Sequence, residues 1–158
     1  ALAVSILNKK KKNKKDFKKF HPSGNLGAKL TTVEELMITG NKIPFVNEDL
    51  RMKSALKIIS NKKLGTLIVR NNKKITTGII TDGQIRRFNE VDNNLQSLTV
   101  KKVMTSNPIS IDQNTLAEKA LSIMNTKKIT SLCVHNKKSK KKTIGILHIH
   151  NILQSNIH

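Results

Sequence analysis

Two polar turns are the places where this chain could do chemistry. The first lies in the run from Gly78 to Arg87, where two isoleucines precede Thr81, Asp82, Gly83 and Gln84. Thr81 and Asp82 carry short side-chain oxygens that cap the start of a helix, and Gly83 allows the backbone to approach a partner closely. A strand that runs directly into a helix leaves free N–H groups there, which suit a phosphate or a ribose hydroxyl.

A second turn of the same kind lies in the run from Gly145 to Leu153. His148 and His150 are two positions apart, so on a strand they would share a face and could suggest a metal ion. No third ligand is visible in the pattern, and the sequence therefore predicts no metal site. The candidate ligand-binding residues of the two turns are Thr81, Asp82, Gln84, His148, His150 and Asn151.

The two turns occupy equivalent places in an internal repeat. Ala120 matches Ala55 at an offset of 120 − 55 = 65, and Gly145 matches Gly78 at an offset of 145 − 78 = 67. The two extra residues fall in a lysine-rich hairpin, where insertions are tolerated. Each unit has the pattern β-α-β-β-α, which leaves an apolar face of its sheet uncovered. The two units are therefore expected to pack against each other about a pseudo-twofold axis.

The elements that position the turns follow from periodicity and capping signals. A capping box at residues 31–35 predicts a short helix, and residues 47–49 are predicted to cap a longer helix at 50–60. Two strands at 64–70 and 75–81 flank a hairpin turn, and a helix at 84–89 closes the unit. In the second unit, Thr99 is expected to cap the short helix and Asn114 the long one.

Composition limits the functional classes. The 158 residues have a net charge of +20, with 30 Lys and Arg and no Trp or Tyr. Such a charge could serve nucleic acid or another anionic surface, but scarce Arg and few aromatics favour a solvated lysine surface. We therefore expect neither a specific nucleic acid nor a membrane as partner. The single cysteine, Cys133, excludes an internal disulfide and fits the reducing cytoplasm.

The repeat resembles a tandem cystathionine-β-synthase (CBS) pair, or Bateman module, over residues 33–155. Four stretches carry a more specific resemblance to the C-terminal half of bacterial D-arabinose 5-phosphate isomerase: Met37-Ile38-Thr39-Gly40, Ile43-Pro44, residues 78–87 and residues 145–150. The run from His21 to Gly27 is similar to the loop that closes the sugar-isomerase (SIS) domain of that family, and residues 1–4 to the helix before it.

The resemblance implies an α+β fold in which a short helical and loop remnant of an SIS domain precedes the CBS pair. The predicted boundaries are 1–32 for the remnant, 33–92 for the first CBS domain and 98–155 for the second. The family interconverts ribulose 5-phosphate and arabinose 5-phosphate in the cytoplasm for Kdo and lipopolysaccharide synthesis, by proton transfer through an enediol. It places a catalytic histidine where His21 stands, so His21 is the implied catalytic residue.

The rest of the family's catalytic domain would lie upstream, so the resemblance implies no isomerase activity for this chain alone. It also implies a homo-oligomer, a tetramer in the family, and a sugar phosphate as substrate of the parent enzyme. No cofactor is required, but CBS pairs usually hold an adenosyl or other nucleotide in the cleft between their repeats.

In the usual CBS motif, an aspartate three residues after the threonine binds the ribose. Here Gln84 and Asn151 stand at that position, and an amide lacks the strength of a charge-assisted hydrogen bond. Thr81 is kept in the first turn, and His148 replaces it in the second. Two other interpretations remain: a free-standing CBS module that senses nucleotides, and a basic nucleic-acid-binding protein.

Overall fold

A computed structural model describes residues 30–155 of the 158-residue chain. Most of the predicted SIS remnant, His21 included, lies outside the described residues. The described part forms two structural repeats of strands and helices, in the order that the internal sequence repeat predicts. The predicted α+β pair of β-α-β-β-α units is confirmed.

Each repeat is preceded by a short segment that has its own secondary structure. The elements up to the end of the first repeat are α1 (Val33–Leu36), β1 (Phe45–Asn47), α2 (Met52–Lys62), β2 (Thr66–Arg70), β3 (Thr76–Thr81) and α3 (Asp82–Val91). Those of the second are α4 (Val100–Val103), β4 (Thr105–Ser106), β5 (Ser110–Asp112), α5 (Ala117–Lys127), β6 (Ser131–His135), β7 (Gly145–His148) and α6 (Ile149–Leu153). We call residues 31–39 and 98–106 the leading segments.

Both sheets combine one parallel strand with an antiparallel hairpin. In the first repeat, β1 runs parallel to β2, and β2 pairs antiparallel with β3. In the second, β5, β6 and β7 repeat this arrangement. A parallel pair needs a long connection, and the long helices α2 and α5 supply it. The ends of β3 and β7 then lead directly into α3 and α6, so both polar turns lie at the same end of their sheets.

The long helices begin later than the sequence predicts. Residues 47–49 were expected to cap the first of them, yet α2 begins at Met52. The Asn47 Oδ1 atom instead accepts the N–H of residue 49 at 2.9 Å and closes a turn. In the second repeat the expected cap, Asn114, donates its N–H to the Asp112 carboxylate at 2.8 Å in an equivalent turn. Neither asparagine is a helix cap, because its turn comes before the helix.

The starts of the long helices are held by the leading segment of the other repeat. Their N-cap residues, Arg51 and Leu116, make no side-chain cap. Arg51 pairs instead with Thr99, and Leu116 pairs with Thr32. These two bridges join equivalent positions in the two repeats, so each helix start is completed by the opposite repeat.

The leading segments also reach the opposite sheet. Ile38 and Ile146 exchange two backbone hydrogen bonds of 2.8 and 3.0 Å at the edge of β7. At the equivalent place in the first repeat, Thr105 pairs with Ile79 in β3. The two crossings are therefore related by the predicted pseudo-twofold axis.

Two contacts between equivalent residues mark the position of the axis. The Thr66 Oγ1 atom lies 3.4 Å from the Ser131 Oγ atom, and the Thr76 Oγ1 atom lies 2.6 Å from the Thr143 Oγ1 atom. A residue can touch its own equivalent only beside the axis. Because Thr66 and Thr76 lie at opposite ends of the β2–β3 pair, the axis runs along the strands.

Two glycines make space for the crossing segments. A Cβ atom on Gly78 would lie 2.4 Å from the Met104 Sδ atom, and one on Gly145 would lie 2.5 Å from the Met37 Sδ atom. Gly78 and Gly145 do not have a left-handed backbone; among the described glycines, Gly40 and Gly65 have positive φ values. The missing side chain at these two positions is therefore a requirement of close packing.

Each apolar core is completed by one or two valines from the leading segment of the opposite repeat. The core of the first repeat includes Val100 and Val103, and that of the second includes Val33. A buried valine contributes about 1.5 kcal/mol or more to stability. A third cluster joins the two sheets across the axis and consists of Ile43, Ile68, Cys133 and Ile146. The repeats therefore form one packed unit, with the two polar turns side by side at its end.

Candidate functional site

A cleft of about 620 Å³ lies between the two repeats, at the end of the sheets where β3 and β7 stop. Its volume falls within the usual range of small-molecule sites. Both repeats contribute to its walls. The polar residues that line it are Thr81, Asp82, Gln84, Arg87, Thr105, Asn107, Lys128, Thr130, Ser131 and His148.

The first turn is shaped by the start of α3. Thr81 is the N-cap residue, and its Oγ1 atom accepts the Gln84 N–H at 3.3 Å. In return, the Gln84 Oε1 atom accepts the Thr81 N–H at 3.0 Å, which completes a capping box. The helix predicted after this turn is present with Thr81 as its cap, but it begins at Asp82, two residues before the predicted start at 84.

The Gln84 side chain also joins the two repeats. Its Nε2 atom donates a hydrogen bond to the Thr105 hydroxyl, which belongs to the second leading segment. The carbonyl end of the amide caps α3, so both ends of the side chain are used. In this conformation, Gln84 forms part of the wall of the cleft and holds Thr105 against the turn.

The Asp82 side chain packs against Gly65, whose backbone is in the left-handed region that favours glycine. Gly65 has a φ of +66°, and a Cβ atom on it would lie 2.8 Å from the Asp82 Oδ2 atom. The Gly65 carbonyl also accepts the Asp82 N–H at 2.9 Å. These contacts hold the Asp82 backbone in place, while its side chain is exposed at the cleft.

The second turn has the same capping geometry with different side chains. His148 is the N-cap residue of α6, and its N–H is accepted by the Asn151 Oδ1 atom at 2.9 Å. The His148 Nδ1 atom accepts the His150 N–H at 3.2 Å, and the two imidazole rings stack with their centroids 4.8 Å apart. The His148 ring is therefore the neutral tautomer with its proton on Nε2.

Burial lowers the pKa of His148 below its usual 6.5, and the neighbouring His150 lowers it further. Both effects disfavour the charged imidazolium. His148 therefore brings a neutral hydrogen-bonding ring to the cleft at pH 7.

The structure brings four of the six predicted ligand-binding residues together. Thr81, Asp82, Gln84 and His148 line the cleft, whereas His150 and Asn151 are not among its lining residues. Asn151 uses its amide to cap α6, and the His150 side chain is exposed beside the His148 ring. The ligand-binding role of all six residues remains a prediction.

Two basic side chains, Arg87 and Lys128, lie at the cleft. Arg87 lies one turn along α3 from the first polar turn, and Lys128 ends α5 with a left-handed backbone at φ 56°. Asp82 is the acidic residue among those that line the cleft. The sequence suggests a place for Arg87 at the cleft because this residue follows the first turn. It gives no sign that Lys128, Thr105 and Thr130 also line the cleft. The opposite repeat and its leading segment supply these three, so only the three-dimensional crossing reveals them.

Residues 30–155 contain no group of three or more His, Cys, Asp or Glu side chains that could hold a metal ion. The same part of the chain contains no helix that is long and apolar enough to cross a membrane. The predicted catalytic His21 lies outside the described residues. The cleft in the described part is lined by hydroxyl, amide, carboxylate, imidazole and basic groups.

Comparison with known proteins identifies the repeat. The CBS domain profile matches residues 33–90 and again residues 100–157. The chain is 33% identical over 158 residues to arabinose 5-phosphate isomerase KdsD of Escherichia coli, covering 99% of this chain and 47% of that protein. It is 35% identical over 142 residues to protein RP505 of Rickettsia prowazekii, covering 90% and 43%. The chain spans about half the length of these relatives.

Solved structures show the same fold at lower identity. The crystal structure of CBSX2 in complex with AMP has a TM-score of 0.68 and 22% identity, covering 80% of this chain and 96% of that one. The CBS-domain-containing protein ATU1752 from Agrobacterium tumefaciens has a TM-score of 0.73 and 18% identity, covering 81% and 95%. The chain therefore belongs to the CBS-domain family, as a tandem pair whose sequence resembles the CBS region of arabinose 5-phosphate isomerases.

Proposed function

We propose that this chain is the regulatory and assembly part of an enzyme related to arabinose 5-phosphate isomerase, and that its cleft binds an adenosyl or other nucleotide. The observation that carries the proposal is the cleft between the two repeats, with a volume of about 620 Å³. It combines polar groups at the start of α3 with the cations of Arg87 and Lys128. Hydroxyl-rich, phosphorylated ligands fit this chemistry.

The lining residues suggest how a nucleotide would be held. The exposed Asp82 carboxylate can accept hydrogen bonds from ribose hydroxyls, and the Arg87 and Lys128 side chains can pair with a phosphate. Thr81 and Gln84 shape the turn through their mutual hydrogen bonds. The relative CBSX2 has been crystallised with AMP, which supports an adenine nucleotide as the first ligand to test.

The second turn would contribute from the other repeat. The neutral His148 ring can hydrogen-bond a base or a sugar hydroxyl through its Nε2 proton. We assign His150 and Asn151 to the support of this ring, because His150 stacks on it and Asn151 caps the helix that follows. A cleft lined from both repeats also lets a bound ligand stabilise their mutual arrangement, which is the physical basis of a regulatory role.

We further propose that residues 1–32 end an SIS domain, with His21 as a catalytic residue of the parent isomerase, and that the CBS domains span residues 33–92 and 98–155. The support is the alignment of 99% of this chain with the KdsD isomerases, of which it covers 47%. The parent would act on a sugar phosphate as a homo-oligomer. These 158 residues alone should show no isomerase activity, and measurable conversion of ribulose 5-phosphate by the purified chain would contradict this.

Titration calorimetry tests the nucleotide proposal. We expect AMP, ADP, ATP or CMP-Kdo to bind with a dissociation constant below about 1 mM. Arg87→Gln should weaken binding of a phosphorylated ligand by about tenfold, since it removes a charge-assisted contact. Arg86→Gln is the matched control, because Arg86 is the adjacent exposed residue and does not line this cleft. Flat traces with all four nucleotides, or equal losses in both variants, would count against the cleft as a nucleotide site.

Two alternative functions can be distinguished from this one by experiment. A free-standing nucleotide sensor would bind the same ligands but would have no SIS reading frame upstream of Ala1, so the genomic sequence decides between them. A basic nucleic-acid-binding protein would retain DNA at physiological salt, whereas non-specific charge attraction fades as salt rises.

A further inference from the structure

The fold brings two lysine clusters together at the end of the molecule opposite the cleft. The β2–β3 turn at residues 71–75 and the β6–β7 turn at residues 136–144 are the two hairpins. Their lysines are Lys73, Lys74, Lys137, Lys138, Lys140, Lys141 and Lys142, and all seven are exposed. The clusters are separated by more than sixty residues in the sequence, so only the pseudo-twofold arrangement makes them neighbours.

Direct contacts join the two hairpins. The Thr76 N–H, at the foot of the first hairpin, donates to the Lys141 carbonyl at 2.8 Å. The Thr76 and Thr143 hydroxyls lie 2.6 Å apart beside the pseudo-twofold axis. The lysines therefore extend from one connected surface, which we call the hairpin surface and define as residues 71–75 and 136–144.

The hairpin surface has no internal counter-charge. Its two segments contain seven lysines and no Asp or Glu. The nearest acidic residues along these strands lie at the base of the hairpins: the Glu48 N–H donates to the Arg70 carbonyl at 3.2 Å, and Asp112 pairs with His135 between β5 and β6. With a Debye length of about 8 Å at physiological salt, lysines on one small surface act together on an anionic partner.

The side chains of the hairpin surface favour a particular kind of polyanion. Recognition of nucleic acid commonly uses arginine forks in a groove or aromatic rings that stack on bases, and these two segments contain neither. Lysine is a hydrated point charge on a flexible stem. Clusters of four to eight Lys or Arg that lie beside a membrane are attracted to its anionic lipid headgroups.

We propose that the hairpin surface docks the protein reversibly on an anionic phospholipid bilayer, through headgroup phosphates alone. The sequence alone predicts no membrane partner, because its composition favours a solvated lysine surface. The structure changes this view by gathering seven of the lysines on one surface. The opposite end of the molecule carries the cleft, so docking leaves the cleft open to ligand, and the proposal does not depend on what the cleft binds.

Vesicle co-sedimentation of the full 158-residue chain tests the proposal. The vesicles are phosphatidylcholine with or without phosphatidylglycerol. One variant carries Lys→Gln at five hairpin positions: Lys137, Lys138, Lys140, Lys141 and Lys142. The matched control carries Lys→Gln at five exposed positions on helices: Lys53, Lys57, Lys101, Lys119 and Lys127. Both variants lose the same net charge, and both keep every lysine that precedes residue 30.

We expect binding to vesicles that contain phosphatidylglycerol, weakened at least about tenfold in the hairpin variant and less than about threefold in the control. Binding should fall as salt rises and should be absent with phosphatidylcholine alone. Equal losses in both variants would overturn the proposal, since they would show that only total charge matters. Hairpin-dependent binding to duplex DNA in place of vesicles would also overturn it and would assign the surface to nucleic acid.

Discussion

An added methyl group at Gly78 should weaken the attachment between the two repeats. An alanine Cβ atom there would lie 2.4 Å from Sδ, 2.8 Å from Cγ and 3.0 Å from Cβ of Met104. Because the Met104 Cβ atom is itself close, rotation of the side chain alone cannot relieve the clash, and the second leading segment must move. Overpacking of this kind costs about 1–3 kcal/mol. Replacing glycine also lowers the conformational entropy of the unfolded chain, which offsets about 0.4–1 kcal/mol, so the net loss should be about 1–2 kcal/mol.

Urea unfolding followed by circular dichroism measures this loss, and a double-mutant cycle with Met104→Ala identifies its cause. In the Met104→Ala background, the methyl group at position 78 meets no sulfur or Cγ atom. Only the contact with the Cβ atom of position 104 at 3.0 Å remains, so Gly78→Ala should cost clearly less than in the natural chain, with a coupling energy of about 1 kcal/mol between the two positions. For a chain of this size, a loss of 1 kcal/mol corresponds to a fall of about 3 °C in Tm.

The pseudo-twofold symmetry provides matched comparisons. Gly145→Ala should behave like Gly78→Ala, because its Cβ atom would lie 2.5 Å from the Met37 Sδ atom. Gly83→Ala should be neutral or slightly stabilising, since its nearest neighbour would be the Arg87 Nη1 atom at 3.4 Å. The reasoning is refuted if Gly78→Ala loses no stability, or loses as much in the Met104→Ala background as in the natural chain.

Three further results are expected. In urea titrations, Gln84→Ala should lower the free energy of unfolding by about 1–2 kcal/mol, because both the capping box and the hydrogen bond to Thr105 disappear. Asn151→Ala removes only a helix cap and should cost about half as much. Equal costs in the two variants would argue against the hydrogen bond between the repeats. Because the pKa of His148 lies below 6.5 in the folded state, that state binds fewer protons, so the free energy of unfolding should fall as pH drops from 6.5 towards the lowered pKa. This fall should be smaller in His148→Gln, and an unchanged pH profile would contradict the buried, neutral ring. Burial raises the pKa of the Cys133 thiol to about 11, so a thiol-specific disulfide reagent should react only upon unfolding, and rapid labelling of the folded protein would contradict this.

The repeat and its topology could be predicted because they depend on local patterns. Ala55 and Ala120 recur in register with the apolar faces of the two long helices, and both are fully buried. The glycines at positions 78 and 145 mark equivalent strands. Strand and helix types follow from such periodicity within one segment, so the α+β fold emerges from the sequence without knowledge of long-range contacts.

The helix starts could not be predicted, because long-range contacts decide them. Asn47 and Asn114 have the right side chains for caps, but both lie in turns that precede the helices. The actual N-cap residues are Arg51 and Leu116, which are poor caps by type. Their backbones pair with the leading segment of the opposite repeat, and a window of local sequence contains no sign of that partner.

The candidate site was also predictable only in part, because some of its residues come from one local turn and others come from distant parts of the chain. The turn from Thr81 to Gln84 is a local capping box and could be read from the sequence. Lys128 and Thr105 come from other parts of the chain, and their place in the cleft follows from the exchange of leading segments. The same exchange gives Gln84 its partner, which explains why a residue expected to contact only a ligand also joins the two repeats.

The exchange of leading segments also bears on how the chain folds and how such a protein could arise. Val33 completes the core of the second repeat, while Val100 and Val103 complete that of the first. Neither half can therefore become a finished folding unit before the other, and the rate of folding is governed by contacts between residues far apart in the chain. A single repeat on its own would lack these valines, and two identical copies could complete each other's cores by exchanging the segments. Fusion of two copies in one gene turns that bimolecular assembly into a concentration-independent one.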